Sequence, residues 1–411
     1  MAKKKSIETT PDDSGVVDSK LKSKAEIQDS LSLSIVESLN KKFSKEYEKV
    51  AYYLDGSEET PSDLNDWVST GSDVLDIAIS NRPNGGLPSA RILEFFGWEA
   101  SGKSLISGHI MADTQRKGGL PVYIDTENSL NVEFLSAIGV DTDPKKFVYI
   151  QLALVEEIFE AIENIISKVR ESSKKRLVTI IVDSIAAAST KVEMESDYDK
   201  DGWSTAKAII MSKGLRKIKQ LIANENILLI FNNQLRDKLG VMFGDKSTTG
   251  GGKALQFYAS ARLKIAQIGQ IKIGPKGKEE VIGARTEVKV IKNRFGPPHR
   301  KAIFNIYFDS GIDNLGSWIE TMSDRGLIDG SGSNYTWVDK ETAEVVKFTK
   351  KTFKPLLLER PEIKAGMYKD ICDSMIMKYK KNDSSLESSN MNEPNYDTDE
   401  IEIDNGSAGD E

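Results

Sequence analysis

Between about Asp73 and Asp313 short apolar runs alternate with stretches of helical period. The runs are Arg91–Phe96, Pro121–Asp125, Phe147–Gln151, Leu177–Asp183 and Asn226–Phe231. Such alternation predicts an α/β unit with a largely parallel sheet. Further on, Ala261–Ile268, Thr286–Lys292 and Ala302–Phe308 follow one another without long helices between them, which predicts antiparallel strands at the sheet edge. Upstream, Ile35, Leu39, Phe43 and Tyr47 recur every four residues and predict one amphipathic helix. A lone helix of this kind has to pack its stripe on its own core or on a neighbouring copy.

These patterns divide the chain. Residues 1–30 are rich in Lys, Ser and Asp without apolar period and predict a disordered arm. Residues 31–72 hold the amphipathic helix and a linker, 73–313 the α/β core, and 314–381 mixed helix and strand signals of a small terminal subdomain. From 382 to 411 the composition of Ser, Asn, Asp and Glu predicts a disordered tail.

Charge changes the picture. The 411 residues carry 56 Lys+Arg against 63 Asp+Glu, a net −7 that discourages a nucleic-acid partner only if it is evenly spread. It is not: residues 382–411 hold ten acidic residues and no Lys or Arg, and the remainder, at 56 against 53, comes to about +3. The tail is thus a detachable acidic block, either a solubilising segment or an electrostatic regulator. The single Cys372 permits no internal disulfide, and with His109 and His299 it cannot complete a four-ligand zinc site. No run of 18 apolar residues and no signal-peptide core occurs, so the expectation is a soluble, cytoplasmic protein with no membrane partner.

The first chemical motif follows the strand Arg91–Phe96. Gly97, Trp98, Glu99, Ala100, Ser101, Gly102, Lys103 and Ser104 fit G-x-x-x-x-G-K-[ST], with a strand before and a helical stretch after. In that pattern backbone amides approach phosphate oxygens and the helix N-terminus favours the anion. Lys103 neutralises the β- and γ-phosphates, and the Ser104 hydroxyl can ligate Mg²⁺. The strand Leu177–Val182 delivers Asp183 to its end; alone such an Asp is usually a helix cap, but beside a phosphate loop it is the expected partner of the magnesium shell. Glu127, just past the strand Pro121–Asp125, is by position equally a water-activating base and a solvated loop carboxylate.

A longer set of motifs resolves that choice. The strings NILLIFNNQLR (226–236), GVMFG (240–244), TTGGG (248–252), ALQFYAS (254–260), VKVIKNR (288–294) and GID (311–313), with STGS (69–72) and LDIA (75–78), resemble the RecA recombinases over roughly residues 31 to 313. The resemblance implies an α/β fold: a RecA-like P-loop ATPase core with a mostly parallel central sheet, an N-terminal polymerisation helix and a small α+β C-terminal subdomain. It implies ATP and Mg²⁺ as cofactors, with Lys103, Ser104 and Asp183 at the phosphates and metal and Glu127 as general base. Phe134 falls where the family has an aromatic residue against adenine, and Asn131 where it has an Asp beside the base. Gln234 matches the glutamine that senses the γ-phosphate. Lys292 and Arg294 fall where the family has two lysines that reach a neighbouring subunit's ATP; arginine there keeps the charge but alters the donor geometry.

The resemblance also implies two DNA-facing loops, roughly Glu193–Thr205 and Leu235–Lys253. In the second, Arg236 and Lys238 supply cations, Gly240, Gly251 and Gly252 supply backbone freedom, and Leu239, Val241 and Phe243 supply apolar groups that can wedge between bases. Trp203 is a candidate for base stacking and Arg216 matches a DNA-facing arginine. Where the family often has two adjacent arginines, this chain has Ala266 and Gln267, a departure at the secondary DNA site. The implied function is a DNA-dependent ATPase that forms helical filaments on single-stranded DNA and pairs it with homologous duplex DNA in recombination and repair. Two rivals share the core: a mediator that binds DNA without productive hydrolysis, and a hexameric helicase.

Overall fold

The computed structural model describes residues 31–379 apart from 46–48, 56, 59, 61–62, 65, 173–175, 197–202, 224 and 238–246. The described residues up to Asp63 form a unit of their own. Its helix, α1 (31–43), exposes Ile35 and Leu39 of the expected stripe, with Leu31 one turn earlier also exposed and Phe43 half-buried. Asn40 holds the chain that follows: its Oδ1 accepts the N–H groups of Val50 and Ala51, both at 2.9 Å. Tyr47, the last expected member of the stripe, lies outside the described residues.

The second unit begins at Leu64, earlier than the expected core boundary at Asp73. The short strand β1 (Trp67–Val68) pairs with β2 (Leu87–Pro88), bracketing α2 (Asp73–Ser80). Then come β3 (Arg91–Gly97), α3 (Lys103–Arg116), β4 (Leu120–Asp125), α4 (Val132–Ala137), β5 (Val148–Gln151) and α5 (Val155–Glu171). After them follow β6 (Val178–Asp183), α6 (Lys191–Glu195), α7 (Trp203–Ile222), β7 (Ile227–Asp237), β8 (Ser247–Thr249) and α8 (Ala254–Tyr258). The strands β9 (Ala261–Ile273), β10 (Glu280–Asn293), β11 (Lys301–Tyr307) and β12 (Gly311–Ile312) complete the sheet.

The sheet order is β12-β11-β10-β9-β3-β7-β6-β4-β5, with β8 added to the end of β7. From β9 through β5 neighbouring strands are parallel, and β10 to β12 are antiparallel, the division expected from the runs with and without intervening helices. Helices cover both faces, so the central strands are apolar on both sides. Along β7, Leu228 and Ile230 join the cluster that holds residues of α3, whereas Ile227, Leu229 and Phe231 join the cluster that holds residues of α5 and α7. This alternation governs where the polar residues at the end of the strand point.

Two elements depart from the expectation. The first expected loop, 193–205, is narrowed by α6 and by the start of α7 at Trp203. Thr190 caps α6, accepting from the Glu193 N–H while the Glu193 side chain returns to the Thr190 N–H, so part of the acidic run is helix. β7 continues to Asp237, six residues beyond the apolar run, because Asn232 to Arg236 keep the strand geometry after the hydrophobic signal ends. Beyond the sheet, α9 (Asn314–Asp324), the three-stranded sheet of β13 (Asp329–Ser331), β14 (Asn334–Val338) and β15 (Val345–Phe348), and helices α10 (Lys350–Glu359) and α11 (Pro361–Met375) form the mixed C-terminal part. Trp318, Phe353 and Ile371 there share one buried cluster with Leu75 and Phe304.

Candidate active site

The phosphate loop spans the gap between β3 and α3. Gly97 has no room for a side chain, since a Cβ there would sit 2.1 Å from the Ile265 carbonyl oxygen. Gly102, at φ +100°, makes the left-handed turn that starts α3. Lys103 is buried, and its Nζ folds back on the loop, donating to the carbonyls of Gly97 at 3.3 Å and Trp98 at 2.7 Å. Burial lowers its pKa, opposed by the charges of Asp183, Glu127 and Glu99. The loop thus converges a cation and a helix N-terminus on one point, the arrangement that suits phosphate oxygens.

Asp183 ends β6 next to β4, where it accepts from Ser104 Oγ at 2.7 Å and Tyr123 Oη at 2.6 Å. Burial and the neighbouring carboxylate push the Tyr123 pKa up, so the phenol stays a donor. Ser104 and Asp183 are hard oxygen donors meeting at one place, which fits a Mg²⁺ ion that takes few protein ligands beside phosphate and water.

Glu127 stands on the turn after β4. Asp125 shapes that turn: its carboxylate accepts the N–H groups of Glu127, Asn128, Ser129 and Leu130 at 2.8 to 3.3 Å. Thr126 ties the turn to β6, donating to the Ser184 carbonyl at 2.7 Å and accepting its N–H at 3.0 Å. Glu127 Oε1 then accepts from Ser184 Oγ and from Gln234 Nε2, the latter at 2.9 Å. Gln234 is the register partner of Gly97 in the parallel β3–β7 pair, so the same glutamine sits beside the phosphate loop. No sequence motif marks Tyr123, Asp125, Thr126 or Ser184, although Asp125 and Thr126 immediately precede Glu127.

A cleft of about 300 Å³ opens over Ala100 to Leu105 and is walled by Gln267, Ala284, Ile306 and Phe308 from the antiparallel edge. Below it the Thr286 hydroxyl is buried without a hydrogen-bond partner among the described residues, 3.8 Å from where a Cβ of Gly102 would lie. These wall residues lie far along the chain from the motif, and nothing local marks them. Asn131 caps α4, accepting the Phe134 N–H at 2.9 Å through its oxygen, which leaves its amide NH₂ out of the cap. Phe134 is half-buried beside α3, where a Cβ at Gly108 would lie 3.7 Å from its ring. Trp98 is about half exposed.

The family model of the RecA N-terminal domain matches residues 34–313. The chain belongs to the RecA family. It is 38% identical over 279 residues to a protein RecA of Wolbachia pipientis, covering 68% of this chain and 74% of that one. It is 38% identical to a protein RecA of Geobacter metallireducens, covering 71% and 81%, and 38% identical to protein RecA 2 of Myxococcus xanthus, covering 76% and 80%. RecA proteins are ATP-using enzymes of DNA recombination and repair.

In this RecA-family chain the remaining expected residues sit apart from the phosphate loop. Lys292, near the end of β10, donates to the Gln256 and Phe257 carbonyls at the end of α8, both at 2.9 Å. Burial lowers its pKa, followed by the charges of Arg294 and Arg262. Arg294 is exposed, and neither residue lines the cleft of its own chain. Arg236 donates to the Ala186 carbonyl at 3.3 Å. Lys207, a residue not anticipated, joins it there at 3.0 Å and also reaches the Ala188 carbonyl. Cations at the margins of both expected DNA loops thus hold one turn, three residues after Asp183. Arg216 is exposed on α7 with its Nε 3.3 Å from Tyr258 Oη, and Gly251 and Gly252 adopt φ +80° and +74°. Lys238, Leu239, Gly240, Val241 and Phe243 lie outside the described residues, as does the side chain of Trp203. No helix among the described residues is long and apolar enough to cross a membrane.

Proposed function

We propose that this RecA-family chain is a DNA-dependent ATPase that assembles into helical filaments on single-stranded DNA and catalyses homologous pairing and strand exchange in the cytoplasm. The observation that carries the reading is the strand β7. It places Gln234 beside Gly97 of the phosphate loop and against Glu127, and two residues later it delivers Arg236 to the segment expected to face DNA.

In this account Lys103 exchanges the Gly97 and Trp98 carbonyls for phosphate oxygens. Glu127 takes the proton of an attacking water, oriented by Ser184 and Gln234. Mg²⁺, held by Ser104 and Asp183, would supply charge neutralisation at the phosphates. Phe134 and Asn131 border the adenine together with the cleft walls. Arg216, Arg236 and the 238–243 segment hold DNA phosphates and bases. Contacts through α1 that do not close into a ring generate the filament, in which Lys292 and Arg294 reach the neighbouring subunit's nucleotide.

Strand exchange between circular single-stranded DNA and a linear homologous duplex tests the reading. Joint molecules should form with ATP and homologous duplex and not with heterologous duplex. Duplex unwinding by closed rings without joint molecules would support the helicase instead.

A further inference from the structure

Two tyrosines stand side by side on neighbouring strands, Tyr123 on β4 and Tyr149 on β5, as partners in the parallel register. Each reaches an aspartate at the end of the next strand inward. Tyr123 Oη donates to Asp183 Oδ2 on β6 at 2.6 Å, and Tyr149 Oη donates to Asp125 Oδ2 on β4 at 3.2 Å. The register partner of Tyr123 on β6 is Ile181, and that of Tyr149 on β4 is Tyr123 itself. In both cases, therefore, the acceptor lies two residues farther along the neighbouring strand. Residues two apart on a strand share a face and are roughly 6.6 Å apart, a diagonal that an aromatic side chain can span.

The geometry repeats, but the acceptors differ. The Asp125 carboxylate already carries four backbone N–H groups of its turn. The Asp183 carboxylate has only side-chain donors among the described residues, and both use one oxygen: Oδ2 accepts from Tyr123 and from Ser104 Oγ at 2.7 Å, while Oδ1 carries no hydrogen bond. A carboxylate turns easily about its last torsion, and one donor from α3 would not fix which oxygen is engaged. A second donor from β4 does. The Tyr123 ring is buried in the cluster that holds Ile106 and Ile110 of α3, so its hydroxyl cannot swing away without opening the core. Phenylalanine has the same ring, and the packing alone requires no hydroxyl.

We propose that Tyr123 is a positioning residue of the metal site: its hydroxyl locks Asp183 Oδ2 beside Ser104 and keeps Oδ1 open for the shell of the cation. This rests on the reading above that Ser104 and Asp183 hold Mg²⁺. Mg²⁺ demands near-ideal octahedral geometry, whereas Ca²⁺ accepts irregular shells. Loosening the carboxylate should therefore penalise Mg²⁺ and spare Ca²⁺, a distinction that general destabilisation would not produce.

The test is metal binding by the full-length protein with ADP, read from the electron paramagnetic resonance spectrum of protein-bound Mn²⁺ as Mg²⁺ or Ca²⁺ displaces it. The proteins are wild type, Tyr123→Phe, Tyr149→Phe and Ser104→Ala. Tyr123→Phe should raise the Mg²⁺ dissociation constant about tenfold, as expected for a group that orients a metal-site residue, and the Ca²⁺ constant by no more than about twofold. Tyr149→Phe, which removes the matching hydroxyl from Asp125, should leave both constants near those of wild type. An unchanged Mg²⁺ constant in Tyr123→Phe overturns the proposal. So does an equal loss for the two ions, or an equal loss in Tyr149→Phe, since either shows a general loosening of the strand ends. Ser104→Ala reports separately on the underlying reading: if it binds Mg²⁺ as wild type does, that reading falls and the proposal with it. If Ser104→Ala weakens binding and Tyr123→Phe does not, the proposal alone falls.

Discussion

Gln234 Nε2 donates to Glu127 Oε1 at 2.9 Å, across 107 residues of sequence. The bond joins the candidate base to the strand that runs on toward the segment proposed to face DNA. Ser184 Oγ donates to the same oxygen, so the carboxylate is oriented by two elements, β7 and the turn after β6.

Ser104 and Asp183 form the candidate metal position, and their 2.7 Å hydrogen bond shows that they converge. Ser104→Ala and Asp183→Asn should each raise the Mg²⁺ concentration needed for half-maximal ATP turnover, by about tenfold or more. A magnesium titration of turnover checks this, and superimposable curves for variants and wild type would remove the pair from the metal site.

His109 on α3 accepts the Ile312 N–H at 3.0 Å through Nε2, which an imidazolium could not do. Burial, then the charge of Arg116, pushes its pKa down to about 4. Its unfolded value is about 6.5, so between these values the folded state binds fewer protons than the unfolded state. Stability from this group is therefore present at neutral pH and lost as pH falls through that window, by about 2 kcal/mol between pH 7 and 5. Asp76, which burial pushes up to about 7, acts in the opposite sense, binding a proton in the fold and losing stability as pH rises toward neutrality. Urea unfolding of wild type and His109→Gln at both pH values separates the two. The difference between the proteins should shift by that amount, and an unchanged difference would show that His109 does not titrate in the window.

Truncation after Lys381 removes ten acidic residues and no basic ones. If the tail competes for the basic surface, the shortened protein should load onto single-stranded DNA faster and depend less on Mg²⁺. Stopped-flow loading across a magnesium series measures both. Identical loading rates at every concentration would leave the tail a solubilising segment.

Much of the fold could be read because its signals are local. Continuous apolar runs mark the parallel strands, and the phosphate loop is a contiguous motif between strand and helix. What stayed hidden depends on residues far apart. Gln267, Ile306 and Phe308 reach the cleft over the phosphate loop only through the antiparallel edge, and Lys207 meets Arg236 only at the Ala186 carbonyl. Two further signals are local. Glu94 interrupts the apolar run of a central strand, and a charge there needs a buried partner, here Arg262. Thr190 and Glu193 have the spacing of a capping box and mark α6 inside what reads as an acidic loop. Asn232 and Asn233 end the hydrophobic signal of β7 without ending the strand, because their side chains find partners on both faces.

The proposed function requires one coupling, between DNA beyond the end of β7 and hydrolysis at Glu127. The most direct test is ATP turnover with and without single-stranded DNA for wild type, Lys103→Ala and Gln234→Ala. DNA should raise wild-type turnover well above its basal rate, Lys103→Ala should abolish turnover, and Gln234→Ala should lose the response to DNA. Wild-type turnover that is the same with and without DNA would contradict the account.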